Sequence, residues 1–117
     1  MKNTIDLESI RQELQQYESR LISFRKTVHE NPEVGFNTQD TLARIKSTLE
    51  EFGIPGLDTE TSPGSGFLLI EGNRPGATVA LRADIDALPI EEKSGCAWAS
   101  QNGSAHSCGH DGHQTWL

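Results

Sequence analysis

The stretch ATVALRADIDALP, residues 77–89, begins as an apolar run and becomes acidic in its middle. Residues 77–83 are mostly apolar, as expected of a strand that is buried on both faces of a sheet. Asp84 and Asp86 follow at once, and in an extended chain two residues at this spacing point to the same side. Because sites in α/β sheets gather at the carboxyl ends of strands, this pair marks a candidate functional edge.

The residues before this stretch predict helices packed on a sheet. Residues 5–30 carry an apolar stripe with steps of three or four, which predicts one helix that ends at Pro32. A second helix is predicted from about Thr38 to Phe52, with Gly53 as its C-terminal cap. Residues 66–71 predict a strand, which a turn joins to the strand at 77–83. The predicted fold class is therefore α/β. The stripe of the first helix comprises Leu7, Ile10, Leu14, Tyr17, Leu21, Phe24 and Val28.

Composition and charge limit the classes of partner. The chain has 117 residues, enough for one domain, and a net charge of −7. This acidic balance argues against nucleic acid and against an anionic membrane, because both need a basic face. No apolar leader or 18-residue apolar stretch is visible. Cys96 and Cys108 are interpreted as thiols, and the chain is predicted to be cytoplasmic.

The Asp84–Asp86 pair has two interpretations. Carboxylates at a strand end can bind a hard metal ion, or accept hydrogen bonds from histidines that ligate a metal and so fix their tautomer. Aspartate is also common after a strand for a structural reason, because its side chain bonds nearby backbone amides in a turn. The pair alone does not decide between these roles.

The stretch HSCGHDGH, residues 106–113, holds three histidines and a cysteine within eight positions. Cys108 and His110 could reach one cation if the backbone bends sharply between them, which Gly109 allows. Thiolate and imidazole together suit zinc and related transition metals. A helix that opens at His110 would put His113 on the same face and Asp111 in its first turn, where the helix dipole favours a carboxylate.

A closed structural zinc site is the alternative for this cluster. Such sites generally use two separated pairs of ligands. Cys96 is the only other thiol, and its spacing from Cys108 matches no familiar pair. The cluster is therefore interpreted as part of a metal site whose other ligands lie elsewhere.

Three stretches together resemble a known family. They are FRKTVHENPEVGF (24–36), LRADIDALP (81–89) and HSCGHDGH (106–113). Their residues, order and spacing are similar to those of the metal-dependent amidohydrolases that cleave N-acyl amino acids: hippurate hydrolases, bacterial aminoacylases and auxin-conjugate hydrolases. These enzymes belong to the wider zinc-carboxypeptidase and aminoacylase superfamily, the M20-type peptidases.

The resemblance implies a fold and a domain organisation. It implies that residues 1–117 are the N-terminal part of a metallopeptidase-like catalytic domain with three layers, a mixed sheet between helices. The rest of that domain, and an inserted domain that serves dimerisation and substrate binding, are expected to be absent from these residues. The resemblance also implies that the full-length form is a homo-oligomer.

The resemblance also implies roles for individual residues. Cys108 and His110 are similar to the first two metal ligands, and Asp86 to the aspartate that supports a ligand or the reacting water. Asp84 stands where the wider superfamily often has a ligating histidine. His106, Asp111 and His113 are candidates for side chains that surround the ligands. His29, Pro32 and Glu33 resemble a signature interpreted as structural, although His29 could equally be an ordinary histidine at a helix end.

The activity implied is hydrolysis of the amide bond of small N-acyl amino acids or similar substrates. Two divalent cations, manganese, zinc, nickel or cobalt, would activate a water molecule for this reaction. The glutamate that serves the family as general base has no counterpart after His110 in this sequence, so the 117-residue chain alone is predicted to be inactive. The alternative is a short, stand-alone module that binds a metal or a partner without catalysis.

Overall fold

The computed structural model describes residues 5–117 and contains four helices. They are α1 (Leu7–Gln15), α2 (Glu18–Glu30), α3 (Gln39–Glu51) and α4 (His110–Trp116). Within residues 5–117, β pairing consists of three isolated bridges: Val34 with Ala87 in parallel, and Asp58 with Phe67 and Leu88 with Ala105 antiparallel.

The prediction of one helix over residues 5–30 is wrong, because the helix breaks between α1 and α2. The amide of Tyr17 bonds the carbonyl of Leu14 at 3.0 Å, a tighter turn than the α-helical ladder. The Tyr17 ring packs edge-on against Phe52, with ring centroids 5.3 Å apart. The helix therefore breaks at the residue that makes this tertiary contact, and the continuous apolar stripe of the sequence does not reveal the break. Only the second half of the stripe reaches the core, where Val28 is fully buried, whereas Leu7 and the rest of α1 stay exposed.

The second predicted helix is confirmed as α3, with Thr38 and Phe52 as its flanking residues. Gly53 has a φ of 76°, which a glycine adopts without the strain that a Cβ would cause. Its amide bonds the carbonyl of Glu50 at 3.0 Å, and the amide of Ile54 bonds that of Leu49 at 2.8 Å. These two bonds form a Schellman motif, so the predicted C-terminal cap is confirmed.

Glu33 caps the other end of α3 from outside the helix. Its Oε1 accepts bonds from the amide and the hydroxyl of Thr41, both at 2.5 Å, and its Oε2 lies 3.3 Å from the amide of Asp40. Amides in the first helical turn have no partner within the helix, and their dipoles favour a carboxylate. This contact supports the structural role predicted for Glu33.

We expect Glu33→Ala to lower the free energy of unfolding by about 1–2 kcal/mol, the usual cost of losing a helix cap. Urea denaturation followed by circular dichroism measures the change. Glu60→Ala is the matched control, because Glu60 is an exposed loop residue whose carboxylate bonds no group in the described chain. Equal losses in the two variants would contradict the capping role.

The two predicted strands, 66–71 and 77–83, are not formed within residues 5–117. Phe67 makes one isolated bridge to Asp58, and residues 77–83 have no β partner among the described residues. Val79 and Leu81 are 80% and 75% exposed, so the prediction of a strand buried on both faces is also wrong here. A strand is stable only when neighbouring strands satisfy its amides and carbonyls.

Isolated bridges and one helix pair position the functional segments. The Ala87 amide bonds the Glu33 carbonyl at 2.7 Å, and Leu88 and Ala105 exchange two backbone bonds of 3.0 and 2.9 Å. Ala87 and Ala105 are buried together with Val28 of α2. Helix α2 packs against α4. Residues 84–88 therefore run beside the start of α4, where the candidate ligands lie.

Candidate metal centre

Gly109 provides the bend that the sequence predicted between Cys108 and His110. Its φ of 80° and ψ of 21° lie in the left-handed region, and α4 begins at the next residue. The predicted helix start at His110 is confirmed. One turn on, the ring of His113 lies beside that of His110, with centroids 5.3 Å apart, so the predicted shared face is also confirmed.

Asp86 fixes the orientation of the His110 ring. His110 Nδ1 lies 2.8 Å from the backbone oxygen of Asp86 and 3.0 Å from its Oδ1. Both oxygens are acceptors, so Nδ1 must carry the hydrogen and donate it. In the neutral imidazole, the lone pair is then on Nε2. This is how histidines that ligate metals are usually held, with the far nitrogen tied to a carboxylate or a carbonyl.

The free Nε2 of His110 faces further candidate ligands. Asp84 Oδ2 lies 3.9 Å from this nitrogen, so Asp84 and Asp86 point to the same side, as predicted. One ligand atom each of Asp84, His110 and His113 lie within 4.8 Å of one another. Arg82 competes for the carboxylate of Asp84, with Nη2 2.6 Å from Oδ1. Two imidazoles and a carboxylate form a donor set that fits a divalent transition metal.

Cys108 is an exposed, free thiol. Within residues 5–117 it belongs to neither of the two groups of three side chains whose donor atoms converge. Its role as a metal ligand stays a prediction. Cys96 is also free, so the interpretation of both cysteines as thiols is confirmed.

Asp111 ties the metal-binding turn to α2. It lies in the first turn of α4, as predicted, but its carboxylate is 1% exposed and points to the other helix. Asp111 Oδ2 accepts bonds from His29 Nδ1 at 2.9 Å and from Arg25 Nε at 3.2 Å. The other nitrogen of His29 lies 2.8 Å from Glu92 Oε1. His29 is therefore not an ordinary histidine at a helix end, since it joins two carboxylates.

The environment shifts the pKa values along this chain of contacts. Burial disfavours the charged form of His29, but hydrogen bonds to Glu92 and Asp111 outweigh it and raise the pKa of the imidazole. The hydrogen bond from His29, together with that from Ser94, lowers the pKa of Glu92 to about 2. Burial opposes the charge of Asp111, yet the hydrogen bond from His29 and the amide of Gly112 hold its pKa below the usual value. The three groups therefore stabilise one another in their charged forms.

This coupling predicts that the free energy of unfolding decreases both when the pH rises and when it falls from a middle range. The raised pKa of His29 contributes stability that is present below pH 6.5 and is lost as the pH rises through the folded-state pKa. The lowered pKa of Glu92 contributes stability that is present above pH 4.5 and is lost as the pH falls toward about 2. We expect the urea midpoint to be highest between pH 4.5 and pH 6.5. Above this range, the midpoint should decline less in His29→Gln than in the unsubstituted chain. Identical alkaline declines would contradict the linkage.

His106 is a buried histidine beside this network. It is 5% exposed, and neither ring nitrogen has a hydrogen-bond partner among the described residues. Burial lowers its pKa, so the ring is neutral near pH 7. Its ring centroid lies 6.4 Å from that of His29. The structure thus places the ring of His106 beside that of His29.

Comparisons with known proteins show which proteins this chain is similar to. Residues 80–117 match the model of peptidase family M20/M25/M40. The chain is 38% identical over 112 residues to thermostable carboxypeptidase 2 of Saccharolobus solfataricus, which covers 95% of this chain and 28% of that protein. It is 44% identical over 115 residues to the N-acetyl-L-cysteine deacetylase of Bacillus subtilis, covering 97% of this chain and 27% of that protein. The chain is thus similar to the M20 peptidase family.

Solved structures give the same result for the fold. A dinuclear metal-binding peptidase of family M20, YxeP of Bacillus subtilis, matches 86% of this chain and 28% of its own with a TM-score of 0.78 and 37% identity. A structure from methicillin-resistant Staphylococcus aureus matches 93% of this chain and 29% of its own with a TM-score of 0.84 and 35% identity. The predicted α/β class is confirmed, and the described residues match part of each of these structures.

The chain spans less than a third of the length of these relatives. Four helices with only isolated bridges among residues 5–117 are what an incomplete α/β domain presents. None of the helices that the structure describes is both long enough and apolar enough to cross a membrane.

Sequence reasoning missed three members of the network around His29: Arg25, Glu92 and Trp98. Glu92 is 63 residues from His29 along the chain, so no local spacing reveals their contact. Trp98 packs edge-on against the same imidazole, with ring centroids 4.7 Å apart. The one local signal for this network was the abundance of hydrogen-bonding side chains in residues 91–102, a segment for which the sequence predicts neither helix nor strand.

Proposed function

We propose that this chain is the N-terminal part of the catalytic domain of a metal-dependent amidohydrolase. The reaction is hydrolysis of the amide bond of N-acyl amino acids or similar small amides. The observation that carries the proposal is the His110 ring, whose Nδ1 is held by Asp86 and whose Nε2 is left free beside Asp84 and His113. The N-acyl-L-amino acid amidohydrolase of Geobacillus stearothermophilus, 39% identical over 111 residues, supports the choice of substrate class.

The residues of this chain fit the metal ions that such a reaction needs. Cys108 and His110 would hold a divalent cation such as manganese, zinc, nickel or cobalt. The complete site would contain two such cations, with the remaining ligands supplied by a longer chain. When bound, the cations acidify a water molecule and polarise the carbonyl of the substrate. Asp86 keeps the proton of His110 on Nδ1, which preserves the lone pair on Nε2.

Exposed apolar side chains support the proposal that this chain is part of a larger domain. Val79 and Leu81 lie on the segment predicted as a buried strand, and Phe67 lies on its predicted neighbour, 65% exposed. A protein rarely leaves such a surface open to water. In the proposed longer protein, further strands and helices cover it. The isolated chain is expected to have no amidase activity, because the glutamate base of the family has no counterpart after His110.

The partners follow from the same proposal. The substrate is a small N-acyl amino acid, and neither nucleic acid nor a membrane is a partner, in keeping with the net charge of −7. The longer form is proposed to be a homo-oligomer in the cytoplasm.

The test is to capture the native gene product with an antibody against residues 1–30 and to measure its intact mass and its hydrolysis of hippurate and N-acetyl amino acids. We expect a mass well above 12.8 kDa and hydrolysis that a chelator abolishes. A product of 12.8 kDa without hydrolysis would overturn the proposal and favour the stand-alone module. Hydrolysis by the purified, metal-loaded 117-residue chain would overturn the expected inactivity of the part.

A further inference from the structure

A second group of converging donor atoms lies on the other side of Asp111, at the end of α2. It consists of His29, Glu92 and Cys96, each partly buried, with one donor atom of each within 4.8 Å of the others. It shares no residue with the Asp84, His110 and His113 group. The three donors are an imidazole, a carboxylate and a thiol, a combination that packing alone does not require.

His29 is held in the orientation that a metal ligand needs. Its Nδ1 lies 2.9 Å from the buried carboxylate of Asp111, so this nitrogen donates its hydrogen there. The opposite nitrogen, Nε2, points at Glu92 Oε1 from 2.8 Å. A carboxylate on one imidazole nitrogen and a cation on the other is the usual arrangement of zinc-binding histidines.

Glu92 has one oxygen fixed and the other directed into the group. Its Oε2 accepts a bond of 2.6 Å from the amide of Ser100, which holds the carboxylate in place. Its Oε1 lies 2.8 Å from His29 Nε2 and 3.9 Å from Cys96 Sγ. The hydroxyl of Ser94 lies 2.6 Å from Oε1 and 3.3 Å from Sγ, so it can donate to either donor atom.

We propose that His29 Nε2, Glu92 Oε1 and Cys96 Sγ form a binding site for a zinc-class divalent cation, separate from the site at Cys108 and His110. Thiolate and imidazole select borderline-soft metals, and a carboxylate completes a donor set that zinc accepts. Three protein ligands leave a fourth tetrahedral position for water.

Binding exchanges protons for the cation. Without metal, a proton lies between His29 Nε2 and Glu92 Oε1, and the Cys96 sulfur carries another. The cation takes both places, and up to two protons pass to solvent, with no change of oxidation state. The result is a clamp, since the cation links the end of α2 to residues 92–96 of the following irregular segment.

The two cysteines of the chain allow a direct test. Cobalt(II) replaces zinc and gives a thiolate-to-cobalt charge-transfer absorption in the near ultraviolet when a cysteine ligates it. In Cys108→Ser, only Cys96 can give this band, and we expect the full chain to show it on titration with cobalt(II), with zinc displacing the cobalt. The band should be absent from the Cys96→Ser, Cys108→Ser double variant.

A matched variant distinguishes a site formed by all three ligands from cobalt binding by the Cys96 thiol without the other two. In the Cys108→Ser background, His29→Gln should weaken cobalt binding by at least about tenfold, the minimum cost of disturbing the surroundings of a metal ligand. An unchanged affinity in this variant, or no band in Cys108→Ser, would overturn the second site. Either result leaves the proposed amidohydrolase function untouched, because that proposal rests on His110 and the side chains around it.

Trp98 supplies a second readout that does not depend on sulfur. Its ring lies 4.7 Å from that of His29, whereas Trp116 lies near His113. In Trp116→Phe, the tryptophan fluorescence, excited at a wavelength that tyrosine does not absorb, comes from Trp98 alone. Cobalt(II) should quench it at the concentration that produces the absorption band, and should do so in Cys108→Ser as well. Fluorescence that is unaffected while the band grows would contradict a cation bound at His29.

Discussion

Asp111→Ala should lower the free energy of unfolding by about 3 kcal/mol, the low end of the cost of removing one partner from a buried ion pair. Asp111 is 1% exposed and accepts bonds from His29 and Arg25, so its loss leaves the His29 Nδ1 hydrogen without an acceptor inside the protein. The estimate stays at the low end because the Arg25 side chain is half exposed and can turn to water. Urea denaturation followed by circular dichroism measures the loss.

The control for this prediction is an exposed ion pair of the same chain. Glu91 lies 3.7 Å from Lys93, and both side chains are at least 75% exposed. Glu91→Ala should change the free energy of unfolding by no more than about 0.5 kcal/mol. If Asp111→Ala costs no more than this control, the contact between α2 and α4 does not depend on the buried carboxylate.

Asp86→Ala should weaken zinc binding at His110 by about 10- to 100-fold, the usual effect of losing the group that orients a ligating histidine. The Asp86 carboxylate lies 3.0 Å from His110 Nδ1, and its loss removes one of two acceptors that keep the hydrogen on this nitrogen. The backbone oxygen remains, so the ring should bind metal more weakly but should still bind it. Calorimetric titration in the Cys96→Ser background measures the affinity without a contribution from a thiol at position 96.

Asp40→Ala is the control for Asp86→Ala, because Asp40 is an exposed carboxylate in the first turn of α3. It should leave the affinity for zinc unchanged. Equal affinities of the Asp86 and Asp40 variants would mean that Asp86 does not orient a metal ligand, whatever its distance from His110.

Local features of the fold could be predicted from the sequence, because their causes are local. The end of α3 follows from a glycine at the position where a left-handed conformation is needed, and the structure gives Gly53 a φ of 76°. The bend before α4 follows in the same way from Gly109. The contact of Asp86 with His110 agrees with the role that the family resemblance implied for Asp86.

Features that depend on distant residues could not be predicted in this way. The apolar stripe of residues 5–30 continues through Tyr17, yet the helix breaks there, where the ring meets Phe52, 35 positions later in the sequence. The prediction of a strand at 77–83 failed because a β-type sequence pattern reflects how side chains pack against neighbouring strands. The described residues supply no such neighbour for this segment. Glu92 reaches His29 only because residues 84–105 fold back beside α2.

The measurement that tests the central claim most directly is X-ray absorption at the zinc edge on the zinc-loaded Cys96→Ser chain. In this variant Cys108 is the only thiol. If Cys108 and His110 begin a metal site, the spectrum should show one sulfur neighbour at about 2.3 Å and at least one imidazole at about 2.0–2.1 Å. A first shell of oxygen and nitrogen alone, with no sulfur, would contradict Cys108 as a ligand, and a shell without any imidazole would contradict the proposed metal site at His110.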